Sequence, residues 1–135
     1  MRPAPPAQSY LLDTHVAILA LDRPEALSAV ARTAAGSGPN VLSVVSYWEV
    51  MIKSMKGTLD VGDPRAWWFD ALDQLAATPL FLRPAHVAAV YRLAPIHKDL
   101  FDRMLIAQAT VEGLALVTTD DKIARYATDR LQVIG

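Results

Sequence analysis

Four acidic side chains stand where carboxylates could act together. Asp13 follows Tyr10-Leu11-Leu12, Asp120 follows Val117-Thr118-Thr119, Glu49 comes shortly after Ser46, and Asp102 shortly after Leu100. Carboxylates brought close repel, and each resists ionisation unless a cation neutralises the group. Mg²⁺ or Mn²⁺ meets that need. Such hard ions take oxygen ligands and keep several waters, one of which can attack a phosphodiester while the metal stabilises developing charge. No side-chain nucleophile is then required, and the chain has no cysteine to supply one.

Each acid also has a structural reading. Asp13 and Asp120 are suited to cap the helices that follow them. Ser46-Tyr47-Trp48-Glu49 matches a capping box, in which Glu49 reaches back to the start of its helix. Asp102 could be a surface charge, although its neighbours are apolar. Asp99 precedes the same helix as a cap and stands four residues before Arg103, at ion-pair spacing. What favours a site is the joint pattern, since four unrelated caps have no reason to share one rim. His15, His86 and His97 fit no zinc spacing, so packing, capping or surface roles are expected for them. Lys53, Lys56, Lys98, Arg103, Lys122 and Arg125 flank the acidic motifs and could guide phosphates, while singly each reads as a solvated charge.

The elements that must position these acids alternate between short apolar strands and helices. Strands are expected at 10–12, 41–43, 80–82, 115–117 and 131–134. Helices are expected at 16–21, from Pro24 to about Gly36, from Ser46 to Gly57, over 64–77, from Pro84, over 100–112 with Gly113 as C-cap, and over 121–127. Parallel strands need crossovers, so this order predicts an α/β fold of three layers, with a mostly parallel central sheet covered by helices on both faces. In such sheets ligands bind beyond the carboxyl ends of the strands, where Asp13 and Asp120 fall.

A length of 135 residues allows one core without crosslinks, and absent cysteines fit a reducing cytoplasm, the expected location. Residues 1–8 read as a flexible lead ahead of one domain over 9–135. No stretch approaches the roughly 20 apolar residues of a membrane span. Thirteen basic against 14 acidic residues leave a net charge of -1, so composition carries no electrostatic footprint for nucleic acid. A bound divalent cation changes that balance locally. Trp48, Trp67, Trp68 and Phe69 could stack on bases, but aromatics at helical spacing more often form core or interface. With 53% hydrophobic residues, the run Trp67-Trp68-Phe69 predicts surface covered by a second copy and also by a small partner.

Together, Tyr10-Leu11-Leu12-Asp13-Thr14-His15, Ser46-Tyr47-Trp48-Glu49-Val50-Met51-Ile52-Lys53, the block His97 to Ala109 around Phe101-Asp102-Arg103-Met104 and Leu116-Val117-Thr118-Thr119-Asp120 resemble the PIN-domain toxins of the VapC type. The resemblance runs from about Tyr10 to Ile134, with the motifs in order. It implies a PIN-like fold and a metal-dependent endoribonuclease. Asp13, Glu49, Asp102 and Asp120 would bind Mg²⁺ or Mn²⁺, with Thr118 as a hydroxyl beside the metal and Thr14 and Arg103 in support. It further implies a homodimer, an RNA substrate and a cognate antitoxin that blocks the crevice. Leu100 stands where related sequences often have proline and Ala20 where many have tryptophan; neither is an acidic position.

Two other functions share the acidic pattern. A haloacid-dehalogenase-like phosphohydrolase also places Asp after its first strand, but needs a second Asp two residues later, where this chain has His15. A receiver-like phosphorylation module expects its acidic pair early and a lysine after a late strand; here Asp120-Asp121 is late and Thr118 ends the late strand. A third alternative is a PIN-like binding module without catalysis, which four intact acids give no reason to prefer.

Overall fold

Leu11 and Leu12 are neighbours in sequence and both fully buried, which a strand permits only where both its faces are covered. In the computed structural model, which describes residues 8–135, they lie in β1 (Tyr10–Leu12) and feed separate cores. Leu12 packs with Val16, Leu42, Val50, Trp67 and Trp68, whereas Leu11 packs with Val45, Leu105, Ile106, Leu116 and Ile123. β4 (Ala115–Val117) repeats the division, with Leu116 in the second core and Val117 in the first. The lead expected over residues 1–8 falls, apart from exposed Gln8, outside the described residues.

β2 (Asn40–Ser43), β3 (Ala77–Leu80) and β5 (Val133–Ile134) complete a five-stranded sheet in the order β3-β2-β1-β4-β5, with every pairing parallel. The helices are α1 (Thr14–Asp22), α2 (Ala29–Ser37), α3 (Val44–Met55), α4 (Pro64–Gln74), α5 (Pro84–Val90), α6 (Leu100–Glu112) and α7 (Asp121–Ala124). The expected α/β architecture is the observed one. α6 stops at Gly113, whose φ of 68° is open to glycine at little cost.

Several boundaries differ from expectation. The helix expected from Pro24 is a 3₁₀ turn over Pro24–Ala26, followed by α2, which Ser28 caps; Leu27 and Ala31 are buried but Val30 is exposed. α3 begins at Val44, because the Ser43 hydroxyl that ends β2 accepts from the Val45 N–H. Ser46 is therefore no cap, and Glu49 lies beyond the first turn. The third strand is Ala77–Leu80 rather than 80–82; as an edge strand it tolerates Pro79, and Phe81 is left exposed. α4 ends at Gln74 instead of Ala77, and α7 ends at Ala124 instead of Ala127. Trp67 and Trp68 are buried in the first core, and Tyr47 stacks on Trp68 at 5.0 Å. Of the run Trp67-Trp68-Phe69, only Phe69 remains exposed, so that run no longer argues for a covering partner. Trp48 is exposed and meets Phe101 edge-on at 5.2 Å.

Candidate active site

Leu12 of β1 pairs with Val117 of β4, so the residues that follow, Asp13 and Thr118, emerge side by side. The Asp13 N–H donates to the Val117 carbonyl at 2.9 Å, fixing the backbone at the strand ends. The connections leave β1 toward β2 on one side, and β4 occupies the other. This reversal of strand order opens a crevice at the carboxyl ends. A cleft of about 530 Å³ lies there, lined by Asp13, Glu49, Asp99, Asp102 and Asp120 together with Lys53 and others.

At the two strand ends, capping and site duties are divided between the oxygens of one carboxylate. Asp13 Oδ1 caps α1 by accepting from the His15 N–H at 3.2 Å, and Oδ2 accepts from the Thr118 hydroxyl at 2.6 Å. Thr118 Oγ1 in turn accepts from the Asp120 N–H at 3.1 Å, tying the two acids to one side chain. Asp120 Oδ1 caps α7 through the Lys122 and Ile123 N–H groups, while Oδ2 lies 3.4 Å from His97 Nε2. Thr14, next to Asp13, shares a 2.8 Å hydrogen bond with buried Ser46 and so ties α1 to α3.

The helices bring in the other two acids. Asp99 Oδ1 caps α6 by accepting from the Asp102 N–H at 2.9 Å, which holds Asp102 in the first turn. Asp102 Oδ2 lies 2.8 Å from His97 Nε2. Glu49, on α3, is buried; its Oε2 accepts from Lys53 Nζ at 2.6 Å, and its Oε1 has no partner. All four predicted acids thus line one cleft.

Burial, with Asp13, Asp99 and Glu49 nearby, pushes the Asp102 carboxyl up to about 7. Burial also raises Asp13, against the lowering effect of the Thr118 hydroxyl and the His15 N–H. The hydrogen bond to Glu49 raises Lys53. Crowded carboxylates held in this way are short of positive charge.

His97 is the residue that spacing missed. Its Nε2, with one oxygen each from Asp102 and Asp120, forms a group of possible metal ligands within 4.8 Å of one another. Despite those close contacts, Nε2 makes no aligned hydrogen bond, and it joins Glu49 Oε1 as a buried polar atom without a partner. Carboxylate oxygens, one of them orphaned, and an imidazole nitrogen fit a divalent cation. His97 arrives by way of its loop. The Tyr126 hydroxyl accepts from the Ile96 and His97 N–H groups at 3.1 and 2.8 Å and donates to the Ala94 carbonyl at 2.6 Å.

Arg103 does not pair with Asp99 or reach the cleft. It donates to the Ala94 and His97 carbonyls and to Tyr126, holding the same loop. His86 is a core residue: Nδ1 accepts from the Arg83 N–H, and Nε2 lies 2.9 Å from Glu112 Oε1. His15 and Lys53 line the cleft, whereas Lys56, Lys98, Lys122 and Arg125 do not.

The model of the PIN domain family matches residues 10–129. The fold is similar to that of VapBC-5, a member of the VapBC family of toxin–antitoxin systems from Mycobacterium tuberculosis. The TM-score is 0.62 at 17% identity, over 94% of this chain and 98% of that one. It is also similar to VapBC2 from Rickettsia felis bound to a DNA fragment from the promoter (TM-score 0.58, 15% identity, 93% and 98% covered). A third likeness is to VapBC-1 from nontypeable Haemophilus influenzae (0.57, 20% identity, 92% and 95% covered). No curated protein sequence gives a significant match. At these identities the structural likenesses speak for the fold, and it is the family match over β1 to β4, the four acids and Thr118 that assigns membership: the chain belongs to the PIN domain family.

Proposed function

We propose that the chain is a divalent-metal-dependent endoribonuclease and the toxin of a toxin–antitoxin pair. The observation that carries this reading is the convergence of Asp13, Glu49, Asp102 and Asp120 on one cleft, with the buried Glu49 Oε1 left without a partner. PIN domains are generally nucleases, and VapBC-5, similar in fold, is a member of a family of toxin–antitoxin systems.

In this reading Asp13, Asp102, Asp120 and Glu49 hold Mg²⁺ or Mn²⁺, with His97 within reach of the same ion. When bound, the cation supplies Lewis-acid activation of water and neutralises charge at the phosphodiester. Thr118 keeps Asp13 Oδ2 in place, and the Asp120 cap leaves one oxygen of that residue turned to the cleft. Hydrolysis joins the water oxygen to phosphorus and breaks the P–O3′ bond. The water's proton ends on the 3′-oxygen, and the other fragment keeps a 5′-phosphate. A small antitoxin that covers the cleft would silence it. Purified protein should cut RNA with Mn²⁺ or Mg²⁺ and stop in EDTA; cutting undiminished in EDTA would overturn the reading.

A further inference from the structure

Five of the described residues lining the cleft carry carboxylates, and one, Lys53, carries an amine. Its ammonium donates to Glu49 Oε2 at 2.6 Å. The two partners differ in their surroundings: the Glu49 side chain is 6% exposed and that of Lys53 46%. A helix pair four residues apart would contribute only ~0.3–0.5 kcal/mol on a surface. Here the acceptor is buried among other carboxylates, so the ammonium supplies charge that a divalent cation would also supply. The Lys53 carbonyl is held by the Thr58 N–H at 3.0 Å and the Thr58 hydroxyl at 3.2 Å, so the backbone at this end of α3 is fixed and movement is left to the side chain. A lysine head is a compact charge with three donors on a flexible stem, able to exchange one anion for another.

We propose that Lys53 serves two anions in turn, neutralising Glu49 while no divalent cation is bound and holding a phosphate oxygen of the RNA once one is. The first half follows from the cleft's charge alone; the second rests on the nuclease reading above. Metal and ammonium then compete for Glu49, so removing the ammonium should favour the metal and harm the substrate. A residue that only braced the helix would not split the two effects.

The test compares Lys53→Met, Lys53→Arg and Lys56→Met by Mn²⁺ calorimetry and by RNA cleavage in saturating Mn²⁺. Lys53→Met should bind Mn²⁺ several-fold more tightly and cleave about a hundredfold more slowly, the scale of losing one stabilising donor. Lys53→Arg keeps the charge but not the compact head, so it should bind Mn²⁺ as wild type does yet cleave more slowly, a split that preserves the test should Lys53→Met fold poorly. Lys56→Met removes a charge outside the cleft and should change neither. Mn²⁺ affinity unchanged or weakened in Lys53→Met would overturn the competition. Cleavage by Lys53→Met equal to wild type would overturn the phosphate contact while leaving the nuclease reading intact. A wild type that cuts no RNA in Mn²⁺ would remove the nuclease reading and the phosphate contact with it, and the calorimetric arm would still decide the competition.

Discussion

Asp99 and Asp102 look alike in composition and differ in work. Asp99 spends an oxygen on the Asp102 N–H as the cap of α6, and Asp102 turns its carboxyl toward His97. Asp99→Asn keeps a capping oxygen and should retain most activity; Asp102→Asn should lose cleavage and bind Mn²⁺ more weakly. The raised carboxyl of Asp102 gives a second prediction, on pH. In the unfolded chain the group titrates near 3.8, in the folded, metal-free protein at about 7. Between those values the native state holds a proton that the unfolded state has released. Stability from this group is therefore full below the lower value and is lost as pH rises toward the upper one. Asp13, raised by burial, acts in the same direction. Mn²⁺ should replace the lost proton, so it should raise the melting temperature more at about pH 8 than at about pH 5, and the difference should shrink in Asp102→Asn. A Mn²⁺ shift independent of pH would contradict this.

At the scale of elements, the sequence offered cap and ligand as alternatives for Asp13 and Asp120; both are caps, and capping leaves the second oxygen of each open to the ligand role proposed above. Each caps a helix with Oδ1 and leaves Oδ2 turned elsewhere. These positions were legible because a short apolar strand followed by a helix start leaves little room for error. Glu49 was legible as a motif but not in its local role. Two hydroxyls, Ser43 and Ser46, compete for the cap, and the end of β2 decides for Ser43. His97 was not legible, since its place depends on a loop clamped by Tyr126 and Arg103 from elsewhere in the chain. Nothing local encodes that contact. Tyr126→Phe removes the acceptor for the Ile96 and His97 N–H groups, which should cost about 1–3 kcal/mol of stability. It should also weaken Mn²⁺ binding, because His97 loses its support. Wild-type Mn²⁺ affinity in that variant would separate the loop from the site.

For the molecule as a whole, the four acids meet without help from sequence proximity: they span 13 to 120, strand order makes Asp13 and Asp120 neighbours, and α3 and α6 bring in Glu49 and Asp102. The edge of the sheet was harder to read than the centre. β1 and β4 are buried on both faces, while β3 carries Pro79 and begins three residues before its expected start. The net charge of -1 leaves no broad positive field for a polyanion, so on the proposed reading RNA would be held where a bound cation makes the cleft positive. That ties substrate and metal together as one claim. The direct test is single-turnover cleavage of one RNA as a function of Mn²⁺ concentration, for wild type and Asp13→Asn. The wild-type rate should rise to saturation with Mn²⁺ and vanish in EDTA, and Asp13→Asn should melt no lower than wild type yet cleave at least about a hundredfold more slowly. Cleavage that ignores Mn²⁺, or an Asp13→Asn rate equal to wild type, would contradict it.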